Sequence, residues 1–199
     1  MKVILTVILA TLGLVVVFIA LRPRIARAEL LKEGAIAPPI TTQVVTGDQI
    51  APFSLTDYRG KKVVLYFYPK DETPGCTKEA CAFRDGFSQF QGAGLTVLGC
   101  SVDSSDAHKK FIKKYNLPFP LLLDPDKKIA TAYGVANGIP ILGLDKRVTY
   151  VIDEEGRILK VYPDVDPAIH AKQILADLPA PPPAAASAAA SPAAPEAPK

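Results

Sequence analysis

Tryptophan is absent from the 199-residue chain, methionine occurs once, histidine twice and cysteine three times. Three cysteines in a domain of ordinary size do not make a disulfide framework. Nor do they suit structural zinc, which takes four ligands and commonly a tighter cysteine spacing. Without a Cys-x-x-Cys pair, a thiol–disulfide oxidoreductase acting on protein partners has no motif to stand on. His108 and His170, on helices expected at the surface, are read as solvent-facing, so a Cys–His hydrolase is poorly served. A charge excess is missing too: 23 Lys and Arg face 20 Asp and Glu, a net of +3. No basic stripe interleaved with aromatics occurs, so nucleic-acid binding has little support. No metal and no cofactor is expected.

Both ends differ from the middle. Val3 to Leu21 is uncharged and almost wholly apolar, long enough to span a bilayer. Its flanking Arg22, Arg24 and Arg27 favour an uncleaved membrane anchor over a signal cut at Ala26-Arg27-Ala28 or a soluble helix. The expectation is a membrane-anchored protein. Its flanking charges lean toward a cytoplasmic domain by the positive-inside rule, with a periplasmic one close behind. Residues 179–199 are nearly all Pro, Ala and Ser and cannot pack a core. That divides the chain into 1–28 (anchor or signal), 29–178 (the folded domain) and 179–199 (a disordered tail).

Hydrophobic periodicity orders the middle. Lys62 to Tyr68 reads as a buried strand, and Ala80, Phe83, Phe87 and Phe90 recur at helical spacing. Leu95 to Cys100 is a second strand, Ser104 or Ser105 caps a helix, and Phe119 to Leu123 makes a third strand. Lys127 to Tyr133 is helical, Val148–Asp153 and Arg157–Tyr162 form a hairpin about Glu155-Gly156, and Ala168 to Leu178 closes the domain as a helix. A small hairpin is expected about Gly47-Asp48. Alternation of this kind predicts an α/β domain, a mixed sheet with helices on both faces.

The chemistry gathers at Tyr68-Pro69-Lys70-Asp71-Glu72-Thr73-Pro74-Gly75-Cys76-Thr77-Lys78-Glu79-Ala80-Cys81. Pro69 ends the strand and Pro74-Gly75 turns the chain into a helix. Cys76 then falls in the first helical turn, where unpaired N–H groups and the helix dipole favour negative charge. A thiolate there can attack the O–O bond of a hydroperoxide and become a sulfenic acid. An inert buried cysteine is the alternative, and Cys81 tips the balance toward reactivity. Five helical residues separate the two by about 140° of rotation and about 7.5 Å of rise. Disulfide reach ends near about 7 Å between Cα atoms, so bonding them requires the helix to open. Cys100, ending a buried strand, reads as a small core residue.

Pro69-x-x-x-Thr73-x-x-Cys76 resembles the active-site motif of peroxiredoxins. The stretch from Tyr66 to Asp85 resembles the bacterioferritin comigratory protein, or Q-type, subgroup. The similarity continues through LGCSVDSSDAHKKFIKKYNLPFPLLLDPDKKIATAYGV and DKRVTYVIDEEGRI. The resemblance implies a thioredoxin-like fold and a peroxidase reducing H2O2 and organic hydroperoxides. It casts Cys76 as the peroxidatic cysteine and Cys81 as the resolving one, their disulfide reduced by thioredoxin or a similar dithiol donor. Thr73 and Arg147 complete the implied site, Pro69 shields it, and Glu79 and Arg84 support the helix start. Arginine suits that place because its planar fork can serve the thiolate and the peroxide oxygen. An intramolecular resolving cysteine permits a monomer, the expected state. Two departures stand out. Cys100 replaces a more usual aliphatic residue, and Ala136 to Gly143 is shorter than in many bacterial members, closer to plant and cyanobacterial versions.

Overall fold

The computed structural model of the chain describes residues 29–136 and 144–178. Seven strands form one mixed sheet. They are β1 (Thr41–Thr46), β2 (Gln49–Ser54), β3 (Lys62–Phe67), β4 (Leu95–Ser101), β5 (Leu121–Leu123), β6 (Val148–Ile152) and β7 (Ile158–Tyr162), in spatial order β2-β1-β5-β4-β3-β6-β7. The pairs β3–β4 and β4–β5 are parallel; the remaining neighbours are antiparallel. Helices α1 (Pro74–Asp85), α2 (Phe87–Gly92), α3 (Ser105–Tyr115), α4 (Lys128–Ala132) and α5 (His170–Asp177) join or follow them.

Strand periodicity divides the core in two. Val64, Tyr66 and Tyr68 of β3 and its end face Ala80 and Phe83 of α1, Phe90 of α2, Phe111 of α3 and Ile174 of α5. The alternate residues Val63, Leu65 and Phe67 face Ile129, Ala130 and Tyr133 around α4, with Ile40 and Phe53 from the N-terminal hairpin. Both faces of the central strands are therefore apolar, as the near-continuous run Val63–Tyr68 requires. Helices on both faces of a mixed sheet are what the sequence pattern predicts.

Differences lie at boundaries. The apolar series Ala80–Phe90 is two helices, because Gly86 ends α1 (φ −91°, ψ 2°), its N–H donating to the Ala82 carbonyl. The third strand starts at Leu121 instead of Phe119, since Pro120 has no N–H for the ladder. Helix α4 begins at Lys128, where the Asp124 carboxylate accepts from the Ile129 and Ala130 amides at 3.0 and 2.7 Å. Ser104 caps α3 as expected, accepting from the Ala107 amide at 3.3 Å.

Two expectations are corrected. His108 and His170 are not solvent-facing; both are fully buried. Their helices, α3 and α5, pack on the sheet, and each ring has a polar partner there, the Asp71 carboxylate and the Thr149 hydroxyl. The apolar run Val3–Leu21 lies outside the described residues. Among the described residues no helix is long and apolar enough to cross a membrane. The longest, α1, has 12 residues where a span needs about 20. The expectation of a membrane-anchored protein is withdrawn on that finding.

Gly99 in β4 marks the tightest packing of the sheet. A Cβ there would lie 2.6 Å from Leu121 Cδ2 and 2.8 Å from the Tyr66 hydroxyl, both on buried side chains. We expect Gly99→Ala to lower stability by about 1–3 kcal/mol through overpacking. A urea midpoint equal to that of the parent chain would show that the two side chains can yield.

Candidate active site

Strand pairing assembles the site. β6 runs antiparallel beside β3 with Phe67 opposite Val148. The chain leaving β3 and the chain entering β6 therefore share one end of the sheet. Leaving β3, the backbone passes through Pro69 to Thr73 and enters α1 with Pro74 in its first turn, where a missing N–H costs nothing. Entering β6, it presents Arg147.

Cys76 lies in the first turn of α1 and is 1% exposed. Arg147 Nη2 donates to its sulfur at 3.2 Å. Arg147 Nη1 donates to Glu79 Oε2, one turn further along α1. The guanidinium fork is thus held between a carboxylate and a thiol on one helical face. Gly75 leaves room for it: a Cβ there would come within 3.2 Å of Arg147 Nη2 and 3.8 Å of Pro167 Cγ. Thr73 is the N-cap, but its hydroxyl donates to the Lys70 carbonyl at 3.0 Å and not to the sulfur. Pro69 is half-buried at the start of the loop.

Cys81 is half-buried further along α1, and all three cysteines are free thiols. Since α1 is continuous from Pro74 to Asp85, Cys76 and Cys81 stand apart as the sequence geometry requires. Arg84 is anchored elsewhere, donating to the Tyr115 carbonyl at 2.8 Å and to Asp85. Cys100 packs in the α4-side core, and burial, with Asp124 and Asp145 nearby, pushes its thiol well above the ordinary range. Among the described residues no cluster of His, Cys, Asp or Glu could hold a metal ion. The segment 137–143, which holds most of the shortened loop, lies outside the described residues.

Sequence reasoning undervalued Glu79. It is 1% exposed, and only one of its oxygens has a partner. Its position three residues after Cys76, on the same helical face, was the available signal. Asp71 and His108 were missed as a pair, because 37 residues separate them.

A sheet and site of this kind define a thiol peroxidase. Comparison with known proteins gives the family. The profile of the AhpC/TSA family matches residues 34–161, and the chain belongs to that family, in its Bcp and peroxiredoxin Q branch. It is 48% identical over 130 residues to the chloroplastic peroxiredoxin Q of Sedum lineare, covering 65% of this chain and 68% of that one. It is 44% identical over 137 residues to peroxiredoxin Bcp of Bacillus subtilis, covering 66% of this chain and 87% of that one. The bacterioferritin comigratory protein of Xanthomonas campestris, solved with trapped intermediates and ligands to explain its alkyl peroxide reduction, superposes with a TM-score of 0.64. Its identity is 31%, covering 74% of this chain and 95% of that one. The fold is thioredoxin-like, as the resemblance implies.

Burial pushes the Glu79 carboxyl up to about 7, with Arg147 pulling the other way and not overcoming it. Unfolded, it titrates near its ordinary 4.5, so the folded chain holds this proton more tightly. Its contribution to stability is complete below about pH 4.5 and is lost as the pH rises through about 7. The span is about 3 kcal/mol at most. Urea midpoints between about pH 4 and pH 8 should therefore fall more steeply in the parent than in Glu79→Gln. Parallel profiles would show that Glu79 is not the group responsible.

Proposed function

We propose that Cys76 is the peroxidatic cysteine of this peroxidase and Cys81 its resolving partner, within a catalytic unit of residues 29–178. Residues 179–199 form a Pro/Ala-rich tail outside that unit. The observation that carries the reading is the 3.2 Å contact from Arg147 to the Cys76 sulfur at the start of α1. A guanidinium there stabilises a thiolate and, as the reaction proceeds, the peroxide oxygen it attacks.

The cycle has three steps. The Cys76 thiolate attacks the terminal oxygen of ROOH; the S–O bond forms as the O–O bond breaks. The departing alkoxide takes a proton from solvent and leaves as ROH, or as water when the substrate is H2O2. Thr73 suits the role of orienting the peroxide: its hydrogen goes to Lys70, which keeps its lone pairs free to accept the peroxide O–H. Pro69 shields the sulfenic acid from water.

The Cys81 thiol then attacks Cys76–SOH, and the oxygen leaves as water. Within an intact helix the two Cα atoms are about 7.5 Å apart along the axis alone, beyond disulfide reach. Resolution therefore proceeds through an opened α1. A dithiol donor of the thioredoxin kind reduces the disulfide by exchange and is itself oxidised. Organic hydroperoxides are included as substrates because the Xanthomonas relative is described by its alkyl peroxide reduction.

One equivalent of peroxide should lower the mass of the whole chain by about 2 Da, the two hydrogens lost to a disulfide. Cys81→Ser should instead gain about 16 Da as a sulfenic acid, and Cys76→Ser should do neither. Turnover by Cys76→Ser, or an unchanged parent mass, would refute the assignment.

A further inference from the structure

Of the loop residues Pro69 to Thr73, only Asp71 is buried. Both carboxylate oxygens of Asp71 and its N–H have partners. The Tyr68 hydroxyl donates to Oδ1 at 2.8 Å, and His108 Nδ1 lies 2.8 Å from Oδ2. The Asp71 N–H donates to Asp103 Oδ2 at 2.8 Å, an oxygen that the Ser101 hydroxyl also reaches at 2.8 Å. His108 Nε2 lies 3.3 Å from the Leu122 carbonyl, which can only accept. Nε2 is thus placed to donate to that carbonyl, while Nδ1 faces the Asp71 carboxylate.

These partners lie on or beside the central strands and α3. Ser101 ends β4, Asp103 precedes α3, His108 lies within α3 and Leu122 is in β5. The next residue, Glu72, is held in left-handed backbone at φ 59°, a conformation unfavourable for a non-glycine residue. Its side chain is tied to Lys114 of α3 at 2.8 Å. The loop is pinned on one side of a strained residue and leads directly into Thr73, Pro74 and Cys76 on the other.

We propose that Asp71, clamped by His108, is the positioning residue of the peroxidatic loop, the fixed point that sets how far α1 opens. With the clamp made, Thr73 and Cys76 stay in register with Arg147 and meet peroxide. With it broken, the strained loop relaxes, α1 opens more readily and resolution is faster. The second half rests on the reading of Cys81 given above; the first half does not.

The test separates the two steps. Sulfenic acid formation is timed by stopped flow in a Cys81→Ser background, and disulfide closure is timed by rapid quench in the chain that keeps Cys81. His108→Ala should slow the first by about tenfold and speed the second several-fold. His108→Asn, whose amide can donate to Asp71 where Nδ1 does, should move both rates back toward the parent. Tyr68→Phe, which removes one hydroxyl and leaves the packing, should give the same opposed shifts in smaller measure, and it decides the matter if His108→Ala does not fold. Rates that fall together, rates that do not change, or an asparagine no better than alanine would overturn the proposal. If the parent forms no disulfide at all, the Cys81 reading fails separately, and the sulfenate rates still test the clamp.

Discussion

In the proposed mechanism the chemistry depends on Arg147, and the sheet determines where that residue stands. Because Phe67 and Val148 are opposite each other across β3 and β6, a residue just before β6 meets a helix that begins just after β3. Nothing near the guanidinium in sequence prepares it for that role. Its two amino groups divide between Glu79 and Cys76, and a lysine ammonium could not reproduce that planar fork. Glu79 fixes the direction of the fork, and its own burial makes that service conditional on pH.

In the proposed cycle the site is first held and then let go. A thiol that is 1% exposed and bonded to an arginine suits the attack on peroxide, where position and fixed charge matter most. The same burial works against the second thiol, because five residues of helix separate the pair. A short helix answers both needs. α1 has 12 residues, starts with Pro-Gly and stops at Gly86, and the opening of its first turn is the step that the proposed resolution requires. The loop that leads into α1 is tied through Asp71 to Asp103 and to His108 of α3.

Much of this was legible in the sequence, and what was not has a common cause. The run Val63–Tyr68, the spacing of Ala80 and Phe83, and Pro74-Gly75 before Cys76 are local features whose physics acts over a few residues. They predict strand, helix and helix start correctly. Arg147 could be named only by resemblance, because it lies 71 positions from Cys76. His108 was misjudged for the same reason: its partners Asp71 and Leu122 are 37 and 14 residues away. Without them a histidine on an amphipathic helix looks like surface. Element boundaries slipped where one residue decided them, a helix end at Gly86 and a strand start at Pro120. The membrane anchor failed differently: it rested on the run Val3–Leu21, which lies outside the described residues, and among those residues no helix is long and apolar enough to cross a membrane.

The central claim is that Cys76 acts from a closed helix and is resolved from an open one. Amide hydrogen exchange through α1 tests it most directly, in the reduced chain and again after one equivalent of peroxide. The account predicts that protection from Thr77 to Phe83 is present when reduced and lost on oxidation, while β3 and β6 remain protected. An oxidised chain that carries the Cys76–Cys81 disulfide with α1 protection unchanged would contradict it.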